Sequence, residues 1–284
     1  MSSEEFRGIV IDDGDGERWL AVADTHVGLE VELGRRGVRI PSQSARVANT
    51  IVEYAERVGA TSLVILGDVK HEIGSVVDSM REVREFLNIV SRRFNRVVLI
   101  RGNHDGGLDT ILTSMESPNI HLLDSRGFIM RSRDGKRLLL LHGNSKPRVE
   151  DFVNADVIVM GHTHPAITIQ DVTGYVMRMP VIVKIRVDKG LMGSNMYGRD
   201  MGVSGNLTII VLPTFNPLTV GMDVTESLTK DLVSVETILH YARTWERPGN
   251  VEVYLLDMTY LGTLDILMRI KEEVAEGGYE LDWL

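Results

Sequence analysis

The chain has 284 residues, 43% of them apolar and 25% charged, with a formal net charge of −9 and no cysteine. That length buries one large core, or a core with a small appendage, and the composition is ordinary for a globular protein. No apolar run reaches ~18 residues, which excludes a transmembrane helix and argues against a membrane partner. The start, Met1-Ser2-Ser3-Glu4-Glu5, lacks the basic and apolar regions of a secretory signal. A cytoplasmic location is therefore expected, and the lack of cysteine fits a reducing compartment. Any metal must be held by nitrogen and oxygen. The acidic balance argues against a broad basic surface for duplex nucleic acid. It does not argue against phosphodiester chemistry, because bound divalent cations reverse the sign of the field in a cleft.

In chain order, Asp12–Glu17 resembles a calcium loop only faintly, lacks its spacing, and reads as a turn between strands. Trp19–Ala23 is a short apolar run ending at Asp24. Ser42–Val58 predicts a helix, Leu63–Leu66 a buried strand, and Val76–Phe94 an amphipathic helix with Val76, Met80, Val83, Phe86, Leu87 and Val90 on one face. Arg96–Ile100 predicts the next strand. Alternating strands and helices imply a largely parallel sheet, whose ligands gather at the carboxyl ends of the strands.

From about residue 119 the pattern turns strand-rich. Strands are predicted at Phe128–Arg131, Arg137–Leu141, Val157–Met160, Ala166–Gln170, Tyr175–Val187 and Leu207–Leu212, and Gly190–Gly205 reads as a long loop. This implies a second sheet packed on the first. After Pro217 the sequence predicts a helix over Leu228–Trp245, a strand over Val251–Leu256 and a helix over Leu261–Val274. The expected organisation is a main domain over 1–222 and a C-terminal extension over 223–284 packed on it.

Short motifs rich in histidine and carboxylate sit where the apolar runs end. They are Asp24-Thr25-His26, Gly67-Asp68, Gly102-Asn103-His104-Asp105, His142-Gly143 and Gly161-His162-Thr163-His164. Together they offer a bridging carboxylate, several imidazoles and oxygen donors, which a hydrolytic two-metal centre needs. An aspartate is a natural bridge because each oxygen can face one cation. His162 and His164 are two apart, so extended backbone puts both rings on one face whereas a turn points them at different metals. A lone histidine is more often structural than a ligand; it is the ordered company that changes the reading. His121 and His240 lie outside every motif and read as structural or exposed, and Met177, Met179, Met192, Met196 and Met201 read as core or loop filler.

This ordered set resembles the calcineurin-like metallophosphoesterase superfamily over roughly residues 18–221. The resemblance implies a layered αββα sandwich of two mixed sheets flanked by helices, with a small α/β extension. It implies that Asp24, His26 and His164 hold one metal, that Asn103, His142 and His162 hold the other, and that Asp68 bridges them. His104 would stabilise the transition state or protonate the leaving group, with Asp105 orienting its ring. Lys70, His71 and Arg101 would contact a phosphate oxygen. Manganese is the metal expected from the resemblance; Fe, Zn, Co and Ni suit the same ligands.

Within the superfamily, Gly67-Asp68-Val69-Lys70-His71, His142-Gly143-Asn144, Gly161–Pro165 and Leu212–Leu218 resemble the group of ligase-associated DNA damage response endonucleases and helicase-associated phosphoesterases. That narrower resemblance implies a Mn-dependent endonuclease for single-stranded or irregular DNA, acting by metal-hydroxide in-line attack beside helicase or ligase repair partners. Aromatic residues make up only 6% of the chain and do not cluster into a base-stacking platform. A phosphoesterase for nucleotides, cyclic nucleotides or a lipid precursor is the second reading, and a non-catalytic binding scaffold the third. Oligomeric state is not legible in the sequence.

Overall fold

The computed structural model describes residues 6–72, 79–170, 173–228 and 237–275. The first half of the chain runs β1 (Gly8–Asp12), β2 (Arg18–Val22), α1 (Leu29–Arg35), α2 (Ser44–Val58), β3 (Ser62–Leu66), α3 (Met80–Arg93), β4 (Arg96–Ile100), α4 (Leu108–Thr113) and β5 (Ile120–Leu123). Its strands form one sheet in the order β1-β2-β3-β4-β5, with only the β1–β2 pair antiparallel. The Asp12–Glu17 stretch is the turn of that pair.

The second half runs β6 (Phe128–Arg131), β7 (Arg137–Leu140), α5 (Val149–Asn154), β8 (Val157–Met160), β9 (Pro165–Gln170), β10 (Val176–Pro180), β11 (Ile182–Asp188), α6 (Lys189–Tyr197) and β12 (Asn206–Val211). It continues through β13 (Met222–Asp223), α7 (Val224–Ser227), α8 (Leu239–Ala242), β14 (Val251–Tyr254), β15 (Tyr260–Thr263) and α9 (Leu264–Ala275). A mixed sheet has the order β15-β14-β11-β12-β8-β7-β6, and a small sheet has the order β10-β9-β13. Strands β14 and β15 thus extend the second sheet from its β11 edge.

Three apolar clusters explain the layering. Between the sheets, Trp19, Ala21, Val64, Leu66, Val98 and Ile100 meet Met130, Leu140, Val159 and Leu212. Outside the first sheet, Val47, Ile51 and Ala55 of α2 and Val83, Phe86, Leu87 and Val90 of α3 cover Leu20, Leu63, Ile65 and Leu99. Those helical residues recur at three- and four-residue spacings, so each helix presents one apolar stripe. Outside the second sheet, Phe152, Met192, Met196, Leu239 and Leu264 cover Ile158, Ile185, Ile209 and Val253. The result is helix, sheet, sheet, helix, as expected. No helix among the described residues is long and apolar enough to cross a membrane.

Four expectations change in detail. The strand predicted over Tyr175–Val187 is two strands in different sheets, β10 and β11. Pro180 has no N–H to offer a ladder; the Val181 N–H makes the last bond to β9, on the Pro165 carbonyl at 3.1 Å, and from Ile182 the chain pairs with β14 instead. The long loop expected over Gly190–Gly205 begins instead with α6, capped by Asp188, whose carboxylate accepts from the Leu191 N–H at 2.7 Å. Of the helix predicted over Leu228–Trp245, residues 229–236 lie outside the described residues, and α8 ends at Arg243, where φ is 47°. Leu261 belongs to strand β15, and its helix starts at Leu264.

Phe86 is fully buried between α3 and the first sheet. Phe86→Ala is expected to lower unfolding stability by about 3–5 kcal/mol, measured by urea denaturation, whereas Arg92→Ala on the outer half of the same helix should change it by less than about 0.5 kcal/mol.

Candidate metal centre

The motifs sit at the carboxyl ends of strands whose interiors are buried on both faces. After β2 the chain turns through Asp24-Thr25-His26, after β3 through Gly67-Asp68, and after β4 through Gly102-Asn103-His104. His142 follows β7, and His162 and His164 follow β8. Five of the seven non-glycine residues with positive φ among the described residues are in this group: Asp24, His26, Asp68, His162 and His164. Left-handed backbone disfavours side chains, costs of order 1–3 kcal/mol per residue, and persists only where surrounding structure enforces it.

The enforcement is visible. Thr214 Oγ1 donates to the Asp24 carbonyl at 2.9 Å, and the Asn216 amide donates to the Thr25 and His26 carbonyls, both at 3.1 Å. The Phe215 N–H donates to the Ala23 carbonyl at 2.9 Å, and the His26 N–H to the Asp68 carbonyl at 2.9 Å. Gly67 has φ 78°, and a Cβ there would overlap the His142 ring; a Cβ on Gly102 would overlap Asp68.

All seven expected ligands come together. Asp24, His26 and His164 present donor atoms within 4.8 Å of one another, as do Asp24, Asp68 and His142. His26 Nε2 and His164 Nε2 are 3.2 Å apart, and Asp24 Oδ1 lies 3.4 Å from His164 Nε2. His142 Nε2 lies 3.1 Å from Asn103 Oδ1, 3.1 Å from His162 Nδ1 and 3.5 Å from Asp68 Oδ1. The His142 Nδ1–H donates to the Leu66 carbonyl at 3.0 Å, which turns Nε2 inward. Asp24 Oδ1 is buried without a hydrogen-bond partner. Such an orphan oxygen among facing imidazole nitrogens is the expected signature of a cation site, and the donors are those of borderline divalent metals. The residues fit two such ions.

The calcineurin-like phosphoesterase superfamily domain matches residues 18–181. The chain belongs to this superfamily. It is a phosphoester hydrolase of a family that uses divalent metals, and no curated protein matches it in sequence. Among solved structures, Pseudomonas putida nuclease MPE is similar at 18% identity and a TM-score of 0.46, over 88% of this chain and 96% of that one. Yfce, a phosphoesterase from E. coli, is similar at 16% identity and a TM-score of 0.38, over 86% and 97%. Both likenesses are distant.

Electrostatics in this phosphoesterase centre follow from burial and crowding. Burial works to raise the Asp24 carboxyl, but His164, His142 and His26 outweigh it and hold the group well below the usual carboxylate range. Burial raises the Asp68 carboxyl, with His142 opposing. Burial drives His26 well below its ordinary value, whereas for His164 the effect of burial is overcome by Asp24 and the ring is raised.

His104 stands beside the ligands. Its N–H donates to Asp68 Oδ1 at 2.9 Å, its Nε2 lies 3.8 Å from Asp68 Oδ2, and its Nδ1 contacts the His71 carbonyl. That carbonyl, rather than Asp105, meets the ring. Asp105 is buried, and its carboxylate accepts from the Gly102 N–H at 2.8 Å and the Lys70 N–H at 3.2 Å, tying the β3 and β4 loops together. Lys70 is fully buried, with its ammonium on the Glu72 carbonyl. The Arg101 guanidinium is held by Asp109. His71 does reach the cluster, with its Nδ1 3.4 Å from His26 Nδ1 and its Nε2 2.7 Å from Glu32 Oε2. Glu32, Thr214 and Asn216 escape assignment from sequence because their contacts cross 39 to 191 positions; only the Leu212–Leu218 likeness marked the latter two.

Burial, and then the charge of Asp68, push the Asp105 carboxyl up to about 6 against the two N–H donors. The folded chain therefore holds this proton more tightly than the unfolded chain, whose value is 3.8. Its stabilising effect is complete below 3.8 and is lost as pH rises through about 6. In metal-stripped protein, Asp105→Asn should reduce the pH slope of stability across that window by up to ~1.4 kcal/mol per pH unit. Urea denaturation at stepped pH measures it; an unchanged slope contradicts the assignment.

Proposed function

We propose that this phosphoesterase is a two-metal phosphodiesterase that cuts DNA, single-stranded or irregular, with Mn²⁺ as its working metal and repair as its setting. The observation that carries the metal chemistry is the convergence of Asp24, His26, Asp68, Asn103, His142, His162 and His164 around the unpartnered Asp24 oxygen. Asp24, His26 and His164 would hold one ion, Asn103, His142 and His162 the other, and Asp68 both. When bound, such a pair supplies Lewis acidity toward a phosphate and lowers the pKa of water.

The chain's own residues do the rest. Asp68 receives the His104 N–H, which fixes the bridge and the general acid relative to each other. His104 keeps its Nδ1 on the His71 carbonyl and turns Nε2 toward the centre. In its protonated form that Nε2–H donates to a phosphate oxygen or to the departing alkoxide. Asp105 positions His104 through the backbone of the Gly102 turn.

Two features support a nucleic-acid substrate. The motif likeness over Gly67–His71, His142–Asn144, Gly161–Pro165 and Leu212–Leu218 is to DNA-repair phosphoesterases. Arg35, Arg36 and Arg39 stand exposed at and just past the end of α1, whose Glu32 touches His71, although Arg35 and Arg36 are paired with Glu72 and Glu32. Residues 223–284 act here as a supporting extension. The net charge of −9 favours a small phosphodiester as the second reading.

Circular and end-labelled single-stranded DNA, beside an aryl phosphodiester, should be assayed with Mn²⁺. Cleavage of the circle is expected, with loss in EDTA and a fall of about 10²–10⁴-fold in kcat for His104→Ala. Hydrolysis of the aryl diester alone would leave the metal chemistry standing and overturn the DNA reading.

A further inference from the structure

We propose that Glu32 and His71 form a positioning pair that fixes where the protons sit on His26 and His104, so that each ring turns its Nε2 into the metal centre. The proposal rests on the reading of His26 as a metal ligand.

With the His71 ring neutral, the chain of contacts allows one proton arrangement. Glu32 Oε2 lies 2.7 Å from His71 Nε2. A carboxylate only accepts, so His71 carries its hydrogen on Nε2. In a neutral ring that leaves Nδ1 bare, and this atom lies 3.4 Å from His26 Nδ1. Two facing nitrogens share one hydrogen at most, so His26 supplies it from Nδ1. His26 is buried against the rings of His71, His104 and His164, and a ring that ligates a metal does so neutral. Its Nε2 is therefore bare, and it lies 3.2 Å from His164 Nε2 and 3.9 Å from Asp68 Oδ2. A metal needs that lone pair, and the partner of the other nitrogen sets the tautomer of a ligating histidine.

The same residue acts a second time through its backbone. The His71 carbonyl accepts from His104 Nδ1–H, which leaves His104 Nε2 facing Asp68 Oδ2 at 3.8 Å. The His71 N–H donates to the Val27 carbonyl at 3.0 Å, so its backbone is anchored to the loop that carries His26. Glu32 is held in turn by Arg36 at 2.5 Å, and Arg35 binds Glu72 at 3.1 Å, fastening α1 to the segment after Asp68. Both nitrogens of the His71 ring are occupied in this arrangement, so the ring is a positioning group rather than the phosphate contact expected from its motif. Helix α1 thereby becomes part of the site although it supplies no ligand.

Glu32 is 34% exposed in its side chain and contributes little to the core, so its substitution tests the pairing without unfolding the protein. Metal-stripped wild type, Glu32→Ala and Glu32→Gln should be titrated with Mn²⁺ by calorimetry. Their histidine tautomers should be read by long-range ¹H–¹⁵N NMR without metal. Glu32→Ala is expected to weaken Mn²⁺ binding about 10–100-fold, the usual effect of losing a partner behind a ligating histidine. The glutamine oxygen still accepts from His71 Nε2–H, so Glu32→Gln should stay within about threefold of wild type. The NMR spectrum should show Nε2–H on His71 and Nδ1–H on His26 in wild type, and mixed tautomers in Glu32→Ala.

Unchanged Mn²⁺ affinity and tautomers in Glu32→Ala would overturn the pairing. A third Mn²⁺ per chain, abolished by His71→Asn, would also overturn it by making His71 a ligand. Wild type that binds no Mn²⁺ would instead sink the metal reading, and the tautomers would still decide the pairing.

Discussion

Imidazole nitrogens and acidic oxygens crowd one another at the centre of this protein. His26 Nε2 meets His164 Nε2 at 3.2 Å, and His142 Nε2, whose ring hydrogen is given to Leu66, meets Asn103 Oδ1 and His162 Nδ1, each at 3.1 Å. Asp24 Oδ1 is buried beside them with nothing donating to it. Burying that oxygen without a donor costs on the order of 1–3 kcal/mol, and left-handed backbone at Asp24, His26, Asp68, His162 and His164 adds to the burden. A pair of cations answers both problems at once, because each ion is a partner for several acceptors. The fold makes sense as the frame that holds those acceptors together.

The frame works through three kinds of support. The apolar layer between the sheets fixes the strand ends from which every ligand loop leaves. Backbone clamps from Thr214, Phe215 and Asn216 hold the Asp24–His26 turn from a strand end 190 positions away in the chain. Side chains behind the ligands, Asp105 for the β4 loop and Glu32 with His71 for His26, set orientation and proton placement. Only the last group touches the chemistry, and it depends on the other two for its position.

The candidate ligands were legible as a group because each is a polar residue placed where an apolar strand stops, and that pattern is local; their separate roles came from the resemblance alone. The sandwich was legible for the same reason: β3, β4, β6 and β8 are continuous apolar runs with clear ends. Other features hid because their causes are tertiary. Pro180 looked like the interior of one long strand, yet the strands on either side join different sheets. The sequence of α6, rich in Gly, Met and Asn, has little amphipathic pattern, and it is helical because Asp188 caps it and Met192 and Met196 find a core. Glu32 sits in a short helix with no motif around it. Asp105 follows His104 directly, which invited the idea that it orients that ring; its carboxylate turns the other way, onto two backbone N–H groups.

Anomalous diffraction from crystals grown with Mn²⁺ tests the central claim most directly. The account predicts two Mn²⁺ peaks per chain, one among Asp24, His26 and His164 and one among Asn103, His142 and His162, with Asp68 in contact with both. A single peak, or density held by His26, His71 and His104 instead, would contradict it.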